Sequence, residues 1–263
     1  MSSTSSSTTA ALLAALADGS VKVVDLTQPL SEDTPVIALP EPFANTPQLS
    51  RRRLSRYDDA GPAWAWDVLE IGEHTGTHFD APIHWISGKD GKDVASVEPS
   101  RLVGPAVVID KSAECAEDPG YLLTVADFEA WEDQHGAIQP GSWILFRSGW
   151  DARAQDAEAF LNAGAEGPVT PGPDVEAAKW LGSERGITGF GVETVGIDAG
   201  AAGGFDPGFP VHQYLLGSDR YGLTQLANLG ELPPTGAVVV VSPLKLVGGT
   251  GSPVRVLALV PSS

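Results

Sequence analysis

Short apolar runs rich in β-branched residues recur along this chain and restrict it to a core of strands joined by turns. Val21–Leu26 (VKVVDL), Ala106–Ile109 (AVVI), Ser142–Arg147 (SWILFR), Ile187–Val192, Val238–Val241 and Val254–Val260 each read as a strand. The 30 glycines and 21 prolines among 263 residues mark a globular chain with many tight connections. Helical patterns fall between these runs. The AALLAALA stretch predicts a helix over Thr9–Ala17, behind a disordered Met1–Thr8 tail and stopped near Gly19. Leu123–His135 predicts an amphipathic helix started by Thr124 with Asp127 three residues on, Pro173–Arg185 a helix ending at Gly186, and Leu223–Leu232 a short one. Strands interleaved with helices imply the α/β class. No linker is long enough to separate domains, so residues 1–20 read as a tail with a short helix and residues 21–263 as one domain.

The formal net charge of −18 sets up a field that repels nucleic acid and anionic membrane surfaces, leaving a small neutral substrate as the expected partner. A lone cysteine, Cys115, excludes an internal disulfide and a cysteine-built zinc site, and fits a reducing, cytoplasmic setting. The N-terminus lacks the basic start of a secretory signal, and no segment reaches membrane-spanning length. The glycine-rich span Ala199–Pro210 lacks the lysine and the ordered spacing of a phosphate loop, so it reads as a mobile lid or a tight backbone approach.

Glu73–Trp85 (EHTGTHFDAPIHW) holds three of the five histidines and an aspartate. Gly76, two threonines and Pro82 make it poor helix material; in an extended chain the even-numbered His74, His78, Asp80 and His84 emerge on one face. The segment therefore reads as a strand or strand-to-loop edge carrying four ligands or bases. Neutral imidazole and carboxylate suit zinc or manganese, and two histidines with one aspartate leave positions open for water, which points to catalysis rather than scaffolding. Ahead of it, Trp64 and Trp66 share a face of any strand they occupy, as core or as the wall of a pocket for a flat ligand. Residues 51–62, with Arg51, Arg52, Arg53 and Arg56, read as an exposed loop or strand edge. His135 reads as a helix-terminal residue favoured by the dipole there, outside the site.

HTGTHFDAPIH matches, at every defined position, the His-x-Gly-Thr-His-x-Asp-x-Pro-x-His signature of the metal-dependent cyclase superfamily, which contains bacterial kynurenine formamidase and isatin hydrolase. DLTQPLSEDTP near the start, QPGSWILFRSGW at 139–150, GITGFGVETVGID at 186–198 and FPVHQYLLG at 209–217 extend the likeness from Val21 to Val260. The resemblance implies a swivelling β/β/α fold, a single α/β domain with a mixed β-barrel-like core flanked by helices and a metal at its edge. Residues 21–263 then form a cyclase-like metal hydrolase domain. By the same likeness His74, His78 and Asp80 are metal ligands, His84 the base or proton shuttle, and His212 a further catalytic residue.

In two-zinc formamidases a glutamate just before an Asn-Leu pair also binds metal, whereas LTQLANL here puts Thr224 or Gln225 in its place. Losing that carboxylate removes the charge needed to hold a second dication. One divalent ion, Mn2+ or Zn2+, is therefore expected, with Gln225 as fourth ligand in the manner of the isatin hydrolase branch. The resemblance also implies a homodimer or larger homo-oligomer with sites near interfaces.

The expected reaction is hydrolysis of a carbon–nitrogen amide bond, a cyclic amide such as the isatin lactam, by metal-bound hydroxide with His84 moving the proton to the departing nitrogen. Trp64, Trp66 and Trp85 are the expected walls around a planar amide, while Phe79 alternates away from the ligands toward the core. The alternatives are an aryl formamidase, a lactonase or lyase on the same site, and a non-enzymatic metal-binding protein.

Overall fold

The computed structural model of the protein describes residues 4–164, 167–183 and 186–262. Its main strands are β1 (Val21–Asp25), β2 (Ser50–Asp58), β3 (Gly61–Glu70), β4 (His78–Asp80), β5 (Val103–Asp110), β6 (Trp143–Arg147), β7 (Gly189–Val192), β8 (Tyr221–Thr224), β9 (Ala237–Pro243) and β10 (Gly251–Pro261). The main helices are α1 (Thr4–Asp18), α2 (Val125–His135) and α3 (Val175–Ser183). The sheet runs β10-β9-β5-β6-β7-β8-β4, and β4 pairs back onto β10, closing a mixed barrel of seven strands. Strands β5 to β8 run parallel to their neighbours, the other joins of the ring are antiparallel, and β1 adds to β10 outside it.

The apolar runs explain the layers. In β6 every side chain from Trp143 to Phe146 is buried, so both faces of that strand are covered, as parallel strands require. Trp143 and Leu145 alternate into the barrel with Phe79, Tyr221, Leu223, Val239 and Val256. Ile144 and Phe146 point outward with Val107, Ile109, Phe190 and Val192, where Phe128 and Trp131 of α2 and Trp180 and Leu181 of α3 cover them. Each large apolar side chain so buried stabilises the fold by roughly 1.5–3 kcal/mol. The capping box foreseen at Thr124 and Asp127 is present and starts α2.

Two readings are corrected and a third is narrowed. The N-terminal helix begins at Thr4, within the stretch expected to be a disordered tail, because serine and threonine cost a helix no more than about 0.7 kcal/mol each. Met1–Ser3 and the Glu184–Arg185 end foreseen for α3 lie outside the described residues. The stretch expected as a helix over Leu223–Leu232 is instead β8 followed by a short 3-10 turn at Leu229–Glu231; Gln225 and Asn228 take left-handed backbone angles that end any helix. Of the two readings open for residues 51–62, loop or strand edge, the strand holds: β2 and β3 form a hairpin joined at Asp59–Ala60, which pairs with no other strand among the described residues. No helix among the described residues is long and apolar enough to cross a membrane.

Candidate metal and catalytic site

Strand β4 is three residues long, and alternation divides it. Phe79 fills the barrel, so His78 and Asp80 stand on the outer face. Of the two readings offered for this segment, strand or strand-to-loop edge, the strand-to-loop edge holds. Glu73 and His74 lie in a turn before β4, and Pro82–His84 forms a 3-10 turn after it, since proline cannot continue a ladder. The two turns fold His84 back over His74, their rings stacked 3.9 Å apart.

Each histidine's proton is fixed by its outer partner. His78 Nδ1 faces the Gly76 carbonyl at 2.7 Å, which can only accept, so Nδ1 carries the hydrogen and Nε2 turns its lone pair to Asp80 Oδ1 at 3.4 Å. The Thr224 hydroxyl rests on the same ring, 2.8 Å from Nδ1 and 3.1 Å from Nε2. Thr250 Oγ1 donates to Glu73 Oε2 at 2.6 Å and accepts from His74 Nε2 at 2.9 Å. That leaves His74 Nδ1 facing Asp80 Oδ1 at 2.8 Å. Three lone-pair atoms therefore converge, all within 4.8 Å of one another, on a site walled by buried Asp80 and His78. Such a convergence calls for a positive charge between them, and the donor set of two imidazoles and a carboxylate fits a borderline dication. Burial works against the Asp80 charge, but His78 and His74, when their inner nitrogens carry protons instead, hold the carboxyl well below its usual range.

Beyond His84 the site continues to His212 and Trp85. The His84 ring lies 5.5 Å from that of His212, and Trp85 lies 4.7 Å from His212 with Phe209 edge-on behind it at 5.7 Å. Burial drives the His84 pKa down to about 3, helped by His74 and His212 against Asp80, so this imidazole is neutral near pH 7. Burial also disfavours charge on His212, yet the hydrogen bond from its ring to Asp198, with the charges of Asp198 and Asp80, raises its pKa.

The segment's four polar residues, His212 and Trp85 are thus brought together. Gln225 is buried directly after Thr224, the partner of His78 across β8 and β4, and its backbone carbonyl accepts from Thr77 Oγ1 at 2.6 Å. Its amide nitrogen points at the Pro35 carbonyl, 3.4 Å away. Trp64 and Trp66 are not brought in: they are 49% and 58% exposed on the β2–β3 hairpin, and neither stacks on a histidine. Thr250, Phe209 and Asp198 join the site without having been expected there, and Thr224, one of the two positions offered for the missing glutamate, rests on His78. Their contacts span from 14 to 177 residues of chain, so no local spacing announces them.

Comparison with known proteins adds a family. Residues 24–199 match the Cyclase family model. An isatin hydrolase of Roseibium aggregatum is 48% identical over 253 residues, covering 95% of this chain and 96% of that protein. A kynurenine formamidase of Salinibacter ruber is 26% identical, covering 71% of this chain and 76% of its own. The crystal structure of an isatin hydrolase bound to the product analogue thioisatinate superimposes with a TM-score of 0.96 at 47% identity, covering 100% of both chains.

Proposed function

Since the chain belongs to the Cyclase family, we propose that it is a metal-dependent hydrolase that opens a cyclic amide of the isatin type. The observation that carries this reading is the convergence of His74 Nδ1, His78 Nε2 and Asp80 Oδ1 beside a neutral His84. Near full-length similarity to an isatin hydrolase supports the substrate class.

His74, His78 and Asp80 would hold one Mn2+ or Zn2+, which would supply a Lewis acid that makes water nucleophilic near neutral pH. Gln225 would be the fourth ligand: with its amide nitrogen turned to Pro35, the side-chain oxygen is the donor that remains. His84 takes the proton of the attacking water and hands it to the lactam nitrogen as the ring opens. His212 donates to the substrate carbonyl oxygen as negative charge develops there. Trp85, backed by Phe209, is the flat wall against which an aryl ring lies. Trp64 and Trp66 serve a neighbouring protomer, so the working unit is a homodimer or larger.

The test follows the loss of isatin absorbance. Chelation is expected to abolish turnover and Mn2+ or Zn2+ to restore it, with Asp80→Ala and His84→Ala each lowering kcat/KM by at least about a hundredfold. A protein that purifies without divalent metal, or an Asp80→Ala variant with full turnover, overturns the reading. An aryl formamide and a lactone run beside isatin decide the bond class.

A further inference from the structure

We infer that Asp198 is the positioning residue for His212, engaging its Nδ1–H and leaving Nε2 as the nitrogen offered to the site. The inference rests on the reading above for what His212 does, but not for how it is held. Asp198 follows β7 and is 7% exposed, next to Ile197, which is wholly buried in the layer under α2 and α3. Its Oδ1 accepts from Val211 N at 2.7 Å, and its Oδ2 accepts from His212 N at 3.2 Å and, in a short bond, from His212 Nδ1.

The two backbone bonds alone suffice to cap the turn that starts there. The third, to the ring, adds nothing to capping and fixes χ1, χ2 and the tautomer of the imidazole instead. The need for such a clamp is visible in the chain. His212 opens a π-helical turn, His212–Leu216, at the end of the glycine-rich span Ala199–Pro210. Asp198 lies at the other end of that span, so one carboxylate anchored on the core pins both ends of the loop and aims the side chain that leaves it. Apart from Asp198, the ionisable groups that act on His212 are His84 and Asp80.

Histidine-labelled, zinc-loaded protein tests this by NMR together with kinetics. In the wild type the Nδ1 proton of His212 should appear as a downfield, exchange-protected resonance, and the ring should titrate above the ordinary histidine range. Asp198→Asn keeps an oxygen for Val211 N, so melting temperature should stay within a few degrees. The Nδ1 resonance should vanish, the His212 midpoint should fall by about one unit or more, and kcat should drop roughly a hundredfold or more with KM little changed. Asp198→Glu should recover part of both signals. An unchanged Nδ1 resonance and midpoint in Asp198→Asn would overturn the assignment. A wild type that never opens isatin sinks the functional reading instead, while the NMR result still decides the role of Asp198.

Discussion

At the scale of single residues, the site depends on two side chains that are missing. Gly222 on β8 and Gly251 on β10 are the cross-strand partners of Asp80 on either side of β4. A Cβ at Gly222 would stand 2.7 Å from Asp80 Oδ2, and one at Gly251 would press into the His74 ring. Gly222→Ala is therefore expected to shift the Asp80 carboxylate and weaken metal binding by roughly 10–100-fold in a competition titration. Unchanged affinity would show that Asp80 has room to spare. Thr250 holds His74 in the same sense from behind. Thr250→Val removes the acceptor for His74 Nε2–H and the donor to Glu73, so affinity should fall about tenfold, with Thr250→Ser close to wild type. Equal affinities for the two variants would exclude that hydroxyl from the site's support.

Among the elements, the end of β7 carries a carboxyl outside the proposed chemistry. Glu193 Oε2 accepts from Ser148 N, Ser148 Oγ and Trp150 N, and burial, reinforced by the charge of Asp151, pushes its pKa up to about 7. The folded state thus keeps a proton that the unfolded chain loses near its ordinary value of 4.5. The stabilisation is complete below that value and is lost as pH rises through about 7. Melting temperature should decline between pH 5 and pH 8, by about 1 kcal/mol or more in stability, and Glu193→Gln should flatten the decline. A wild-type melting temperature independent of pH across that window would show that Glu193 is ionised throughout.

For the whole molecule, the β2–β3 hairpin is the unresolved balance. Trp64, Trp66 and Val68 alternate onto one of its faces, while Asp67 on the other pairs with Arg56 at 3.0 Å and Arg51 at 3.9 Å. The arm is amphipathic, yet among the described residues nothing buries its aromatic face. With the dimer proposed above, replacing both indoles by serine should shift the protein to monomer in sedimentation and lower turnover while metal content stays. Wild-type protein that sediments as a monomer at micromolar concentration contradicts this account of the arm.

Much of this was legible in the residues. Alternation in SWILFR and the Thr124–Asp127 cap depend on neighbours a few positions apart, as does the grouping of His74, His78, Asp80 and His84, and local periodicity records such neighbours directly. The strand that replaced a helix after Gly222 and the partners Thr250 and Thr224 depended on ring closure of the barrel. Closure brings β8 and β10 alongside β4 from well over a hundred residues away, and backbone pairing there outweighs the helical propensity of Leu223–Leu232. Ligand types are chosen by side-chain chemistry and so are written in the sequence; the proton each ligand carries is chosen by whichever acceptor the fold sets behind it.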